Sequence, residues 1–254
     1  MIESMRARAK ALYNEGKITQ VLAWEEGVFL NYPIPAFFTD PKTFDNLVYN
    51  RFCSANLGKL LIGIKQKTLV FLRLCDAQSL KQLMDENQVS RENIYIIAVD
   101  CEGIVAVHEG EEQGLLHQCQ QCMKTDHPIF DEVIHIDLAQ PLNKDENNQA
   151  ILEEVQRVTS LTNEEKYSFW QSHLARCIRC NACRNICPTC YCKACILDNN
   201  HPLEGQFYHV LRALHQSERC TLCGQCSRVC PQAIPLHLLN EKLKQISDVQ
   251  CDSL

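Results

Sequence analysis

Long apolar runs, an export signal and a surplus of positive charge are all missing from this 254-residue chain. No stretch approaches the roughly 18 apolar residues that cross a bilayer, so a membrane-spanning protein is not expected. The opening "MIESMRARAK" is charged but has no apolar core behind it, unlike a secretory leader. The expectation is a soluble, uncleaved, cytoplasmic protein. Lysine and arginine total 25 against 31 aspartates and glutamates, a formal net charge of -6, with the cations scattered. That pattern lacks the basic footprint of a nucleic-acid or anionic-membrane binder, and no basic recognition helix is present. Protein partners are expected instead. The nine glycines contain no Gly-x-Gly-x-x-Gly fingerprint for a dinucleotide. A convincing catalytic set is also absent. "DHPIFDEVIHID" brings His127 and His135 near Asp126, Asp131 and Asp137, but it reads as a strand with polar residues on its wet side, and "HEGEEQG" at 108 to 114 reads as a loop.

What the chain does have is cysteine, 17 of them. Without an export signal these thiols stay reduced, and an odd number suits thiolate ligation better than a disulfide framework. "CIRCNACRNICPTCYCKAC" packs seven into residues 177 to 195, and "CTLCGQCSRVCP" repeats its first part. Cys177, Cys180, Cys183 and Cys187 precede Pro188 with the same spacing by which Cys220, Cys223, Cys226 and Cys230 precede Pro231. A short loop of this kind presents three thiolates to three irons of a cubane, and the fourth iron takes its sulfur from elsewhere. In two-cluster ferredoxins the fourth cysteine of each run serves the other cluster. On that pattern one 4Fe-4S cluster falls to Cys177, Cys180, Cys183 and Cys230, the other to Cys220, Cys223, Cys226 and Cys187. Structural zinc also uses Cys-x-x-Cys pairs, but it has no use for triplets followed twice by Cys-Pro. Arg176, Arg179, Arg184, Arg219 and Arg228 lie in or beside the runs. They either offset cluster charge and raise the reduction potential or form a solvated face.

Around these runs the chain divides in two. "ESMRARAKALYNEG" predicts a helix closed by Gly16, and "TDPKTFDNLVYN" a helix with Asp40 as N-cap and Pro41 in its first turn. The β-branched runs "TLVFLRL" at 68 to 74 and "IYIIAV" at 94 to 99, with the helical "AQSLKQLMDENQ" between them, predict a β-α-β unit with buried parallel strands. "QPLNKDENNQ" at 140 to 149 reads as a connection. Residues 1–150 are therefore expected to form an α/β domain and 151–254 an α+β ferredoxin-like dicluster domain. The latter starts from a helix with a capping box, Thr162 to Glu165, has Phe169 and Trp170 as packing residues, and closes on "PLHLLNEKLKQI".

Nine cysteines remain: Cys53, Cys75, Cys101, Cys119, Cys122, Cys190, Cys192, Cys195 and Cys251. With Cys251 set aside near the terminus, eight suffice for two further four-thiolate sites, and equally for a set of idle thiols. Cys119 and Cys122 form a lone Cys-x-x-Cys, which suits a redox dithiol, half a metal site or neither. The number of centres stands open at two, three or four.

The segment from about 163 to 240 resembles the bacterial dicluster ferredoxin domain. "NLVYNRFCSANL" around Cys53, "LCDAQSL" at Cys75, "RENIYIIAVDCEG" at Cys101 and "CQQCMKTDHPIFD" at Cys119 and Cys122 resemble successive motifs of the β-subunits of deazaflavin-dependent hydrogenases and formate dehydrogenases. That family includes relatives accompanying heterodisulfide-reductase-like complexes. The resemblance implies a subunit passing electrons between a catalytic partner and a flavin or further cluster, inside a multi-subunit oxidoreductase. Where the family is expected to carry Gly-Cys-Asp-Ser-Arg, this chain has Leu74, Cys75, Asp76, Ala77 and Gln78, without the tight turn or the phosphate-binding arginine. A flavin is thus less expected than a metal centre. The ligand set favoured by the surviving cysteines is Cys53, Cys101, Cys119 and Cys122, with Cys75 as substitute. Two rival roles are a flavin-containing catalytic subunit that reduces a deazaflavin, disulfide or similar acceptor, and an iron-sulfur redox sensor.

Overall fold

The computed structural model describes residues 1–116, 119, 129–135, 153–195, 197 and 205–251, the side chains of 205–206 and 247–251 excepted. Two compact units divide the chain, Met1–Lys144 and Asp145–Leu254. The connection expected at 140–149 lies outside the described residues, as do Asp126, His127, Asp137 and Cys122.

The first unit is α/β. Helix α1, Ile2–Asn14, buries Met5, Ala9 and Leu12, and Gly16 ends it at φ +69, where a β-carbon is disfavoured. Strands β1 (Gln20–Glu25), β2 (Ile34–Phe38), β3 (Thr68–Leu72) and β4 (Ile94–Val99) pair in the order β2-β1-β3-β4, and β7 (Glu132–Ile134) adds to β4. All contacts in this sheet are parallel except β1 with β2. β3 is buried throughout and β4 nearly so, which is why both read as unbroken apolar runs. Helix α2, Leu74–Asp85, links them.

Two local expectations change. The segment after Asp40 makes only a 3-10 turn, Pro41–Asn46, although Asp40 does cap it by accepting from the Lys42 amide at 2.9 Å. Leu47 is extended and Val48 bridges to Trp24, so the sheet takes the chain that a longer helix would need. The acidic loop at 108 to 114 is instead a hairpin, β5 (Val105–His108) to β6 (Glu111–Leu115), turning through Glu109 and Gly110 at positive φ. The "VIHID" strand is β7, shorter and shifted to start at Glu132.

The second unit is built from helices: α3 (Asn163–Leu174), α4 (Ala182–Ile186), α5 (Gly205–Gln216), α6 (Gln225–Arg228) and α7 (Leu236–Cys251). Residues 153–160 are also helical. Among the described residues this unit has no strand, where α+β was expected. The first two intervals of each cysteine run are wound by left-handed residues, at Arg179 and Asn181 and at Leu222 and Gly224. Both bonds of the Thr162–Glu165 capping box form, at 3.3 and 2.8 Å. Phe169 and Trp170 pack on Val155, Val158 and Leu238, and Trp170 also reaches Leu174, Cys183, Ile234 and Leu236. No described helix is long and apolar enough to cross a membrane.

Candidate metal centres

The sequence repeat is also a backbone repeat. In the first run Arg179 and Asn181, two and four residues after Cys177, have φ of 57 and 59; in the second Leu222 and Gly224, two and four after Cys220, have 52 and 65. Asn and Gly tolerate this region, whereas Arg and Leu enter it at a cost that the surrounding structure must meet. Each winding leads into one short helix, with Cys183 second in α4 and Cys226 second in α6, and α4 packs on α6. Cys187 and Cys230 follow at the exits.

The two runs then exchange cysteines. Cys177, Cys180 and Cys183 line one cavity with Cys230, which comes from the other run; Tyr208, His209, Ile234 and Leu236 complete its wall. Cys183 is pushed up in pKa by burial, with Arg212 acting against the shift and the neighbouring charges of Cys177 and Cys230 reinforcing it. The second set has the converse membership. Burial raises Cys223, and the thiols acting on it are Cys187, Cys226 and Cys220. Burial likewise raises Cys220 to about 11 and Cys226 to about 12, with Cys187 a neighbour of both.

These features fit an iron-sulfur cube. Among the described residues no three His, Cys, Asp or Glu side chains converge on a single metal ion. A zinc site would need sulfurs about 2.3 Å from one point, whereas cubane ligands stand on separate irons around a larger volume. The raised thiol pKa values report sulfurs that resist ionisation without positive charge, which bound iron supplies. Polar groups stand within hydrogen-bond reach of the sulfurs. His209 Nε2 lies 3.0 Å and the Arg179 amide nitrogen 3.4 Å from Cys177 Sγ, Asn240 Nδ2 is 3.4 Å from Cys226 Sγ, and Thr189 Oγ1 is 3.4 Å from Cys187 Sγ. Burial, with Arg212 and Arg179 acting in the same direction, lowers the His209 pKa to about 4 in the iron-free protein.

Cys190 follows Cys187 in a turn, through its amide to the Cys187 carbonyl, while Cys192 is exposed and Cys195 half-buried. The structure does not gather these three into a set for one metal ion.

In the first unit, Cys53, Cys75, Cys101 and Cys119 act on one another electrostatically: Cys75 feels Cys101 and Cys119, and Cys53 feels Cys101. They cluster where the parallel strands end, the edge at which open α/β sheets bind ligands. Three of the sulfurs accept backbone N–H groups, from Asn50 to Cys53 at 3.4 Å, Gly103 to Cys101 at 3.3 Å and Ile104 to Cys119 at 3.2 Å. Cys53 is buried, and desolvation lifts its pKa to about 11. Cys75 is exposed at the surface, and desolvation by the surrounding protein, then the Asp76 carboxylate, raise its pKa. A cavity of about 340 Å³ beside Cys101 is lined by Tyr49, Asn50, Arg51, Asp100, Glu102 and Gly103.

Arg73 fixes this arrangement. It caps α2 from a fully desolvated position, binds Asp76 Oδ2 through Nε at 2.7 Å, and donates to the carbonyls of Cys53 and Ala55. Neither Arg73 nor the inward-facing His209 and Arg212 of α5 was singled out from the sequence. The available signal was α5 itself, whose buried face carries Tyr208, His209, Arg212, Ala213 and Gln216 at helical spacing, an unusually polar set for a core stripe.

Residues 215–235, which contain the second cysteine run, match the model of the 4Fe-4S binding domain. The chain is 21% identical to the F420-dependent formate dehydrogenase subunit beta of Methanocaldococcus jannaschii, over 95% of its own length and 88% of that protein's. The alignment runs over 333 residues, more than the whole of this chain, so the relative carries segments within the match that have no counterpart here. The chain is thus similar over most of its length to an F420-dependent formate dehydrogenase β-subunit, and a 4Fe-4S binding domain match lies near its C-terminal end.

Proposed function

We propose that the chain is an iron-sulfur electron-transfer subunit of a multi-subunit cytoplasmic oxidoreductase, with two 4Fe-4S clusters in its second unit. Cys177, Cys180, Cys183 and Cys230 hold one, and Cys220, Cys223, Cys226 and Cys187 the other, in a dicluster ferredoxin domain spanning about 151–254. The single observation that carries this reading is the cavity lined by three cysteines of one run and the last cysteine of the other. Bound clusters supply one-electron chemistry; the protein supplies distance, potential and docking surface. The residues around the sulfurs do that work here. His209, Asn240 and the Arg179 amide direct N–H groups at sulfur, which stabilises added negative charge. Trp170, Leu174, Ile234 and Leu236 pack against Cys183 and limit water.

A third centre in the first unit is supported by the electrostatic proximity of Cys53 and Cys75 to Cys101 and of Cys75 to Cys119, though among the described residues no three of them converge on one metal ion. Here Cys75 joins the expected ligands, while Cys122 stays outside the described residues. A flavin there finds less support. Leu74 opens α2 where the family's glycine is expected, and Arg73 spends its donors on Asp76 and two carbonyls instead of facing a phosphate.

Anaerobic purification followed by iron, acid-labile sulfide and flavin analysis tests the reading. About eight irons per chain are expected from the second unit alone and about twelve with the third centre. Zinc or bare thiols would refute it, and stoichiometric flavin would favour the catalytic alternative.

A further inference from the structure

Arg212, on α5, is 5% exposed, and no carboxylate pairs with it among the described residues. Its Nη2 donates to the Cys183 carbonyl at 3.0 Å, and its Nε is buried without a hydrogen-bond partner. A desolvated cation with no anion beside it is strongly unfavourable, so the fold must offer a counter-charge. The charges that bear on Arg212 are sulfurs: Cys183 first, then Cys187, Cys226 and Cys190. Cys183 belongs to the first cavity, and Cys187 and Cys226 to the second set. Arg212 thus touches the first set through the Cys183 carbonyl and lies within electrostatic reach of both sets.

Four of the five arginines in or beside the runs are placed otherwise, and the fifth, Arg184, is only half-buried. Arg179 lies over the Tyr208 ring at 4.2 Å, Arg219 over Tyr191 at 4.8 Å, Arg228 binds Gln225 at 2.6 Å and Arg176 binds His173 at 2.7 Å. Arg176, Arg179 and Arg228 are exposed, where water screens their charge. Arg212 is shielded from that screening.

We propose that Arg212 is a fixed cation shared by the two thiolate sets, which raises the reduction potential of both iron-sulfur centres together. The proposal rests on the two-cluster reading above. Each one-electron reduction adds one negative charge to a centre, and a guanidinium held nearby stabilises the reduced state more than the oxidised one. Its charge is constant across the physiological range, so the effect is permanent. Arg212 is a positioning residue and touches no reacting atom of a substrate.

The test is an EPR-monitored redox titration of the full chain, loaded anaerobically, for the wild type, Arg212→Met and Arg212→Lys. Arg212→Met should lower both midpoint potentials, each by on the order of a tenfold loss in electron affinity, about 59 mV for a one-electron couple. Arg212→Lys should keep both near the wild-type values. An Arg212→Met protein with full iron and unmoved potentials, or with one centre shifted and the other not, overturns the proposal. If Arg212→Met fails to load, Arg212→Gln is read by the same criteria, and a lysine variant that also fails to load overturns the charge argument in favour of packing. A wild type without two 4Fe-4S signals would sink the two-cluster reading before any variant is compared, so the two failures are distinct.

Discussion

Asp76→Asn is the sharpest probe of how the first unit holds its cysteines. The Arg73 and Asp76 side chains are each 3% exposed, and their 2.7 Å contact pairs a desolvated guanidinium with a desolvated carboxylate. Burial disfavours the Arg73 charge, and Asp76, with Cys75 and Cys101 adding to it, outweighs that effect so that the pKa stands above the ordinary arginine value. Asparagine keeps the shape and one acceptor but leaves the cation unpaired. Breaking a buried pair from one side costs about 3–5 kcal/mol. At about 2–4 °C per kcal/mol for a unit of roughly this size, the melting temperature of the first unit should fall by about 6–20 °C. The cation-π contact of Arg73 with Trp24, 5.3 Å from the ring centre, remains in the variant and does not replace the lost charge. The loss should also loosen the 53–55 turn, because Arg73 donates to the carbonyls of Cys53 and Ala55. Calorimetry and denaturant titration of the full chain measure the first effect. Alkylation of Cys53 in the iron-free protein measures the second and should become faster. A loss below about 1 kcal/mol with unchanged Cys53 reactivity would refute the reasoning, since an exposed pair behaves that way.

Two further outcomes concern the sulfurs. Cys223→Ala should halve the iron of the second unit, from about eight to about four per chain, and remove one EPR signal while leaving the other; unchanged iron would show the assignment wrong. In the iron-free, reduced protein, Cys53, Cys220 and Cys226 have folded pKa values near 11, 11 and 12 against an ordinary 9.0. The folded chain keeps these protons to higher pH than the unfolded chain does. Their stabilising contribution is thus complete below about pH 9 and is lost as pH rises toward about 12, so the urea midpoint should be lower at about pH 10 than at about pH 8. A constant or rising midpoint would contradict the burial of these thiols.

Much of this organisation was legible because it is written in periodicity and spacing. The strands at 68–72 and 94–99 announced themselves as apolar runs between helical patterns, and the two cysteine runs by their repeat. What escaped the sequence depends on tertiary competition. The turn after Asp40 has good capping chemistry, yet the β-bridge of Val48 to Trp24 ends it early. The acidic 108–114 segment looks like any solvated loop, since an exposed hairpin has no buried face to impose alternation. Arg212 and His209 lie outside both cysteine runs, and only the packing of α5 shows that they are buried against the first run, His209 at the Cys177 sulfur and Arg212 at the Cys183 carbonyl. Arg73 is similarly invisible, because a buried ion pair three residues apart at a helix start has the same letters as a surface one.

The interleaving of the two runs constrains the order of events during synthesis. Translation delivers the amino end first. The cavity of Cys177, Cys180 and Cys183 lacks its fourth wall until Cys230 has cleared the ribosome, by which time the whole second run has emerged as well. The first pocket can therefore not be finished ahead of the second. Filling the first cavity becomes a late step that acts on a nearly full-length chain, and a nascent protein truncated before residue 230 would hold the set of Cys187, Cys220, Cys223 and Cys226 but lack the fourth ligand of the first.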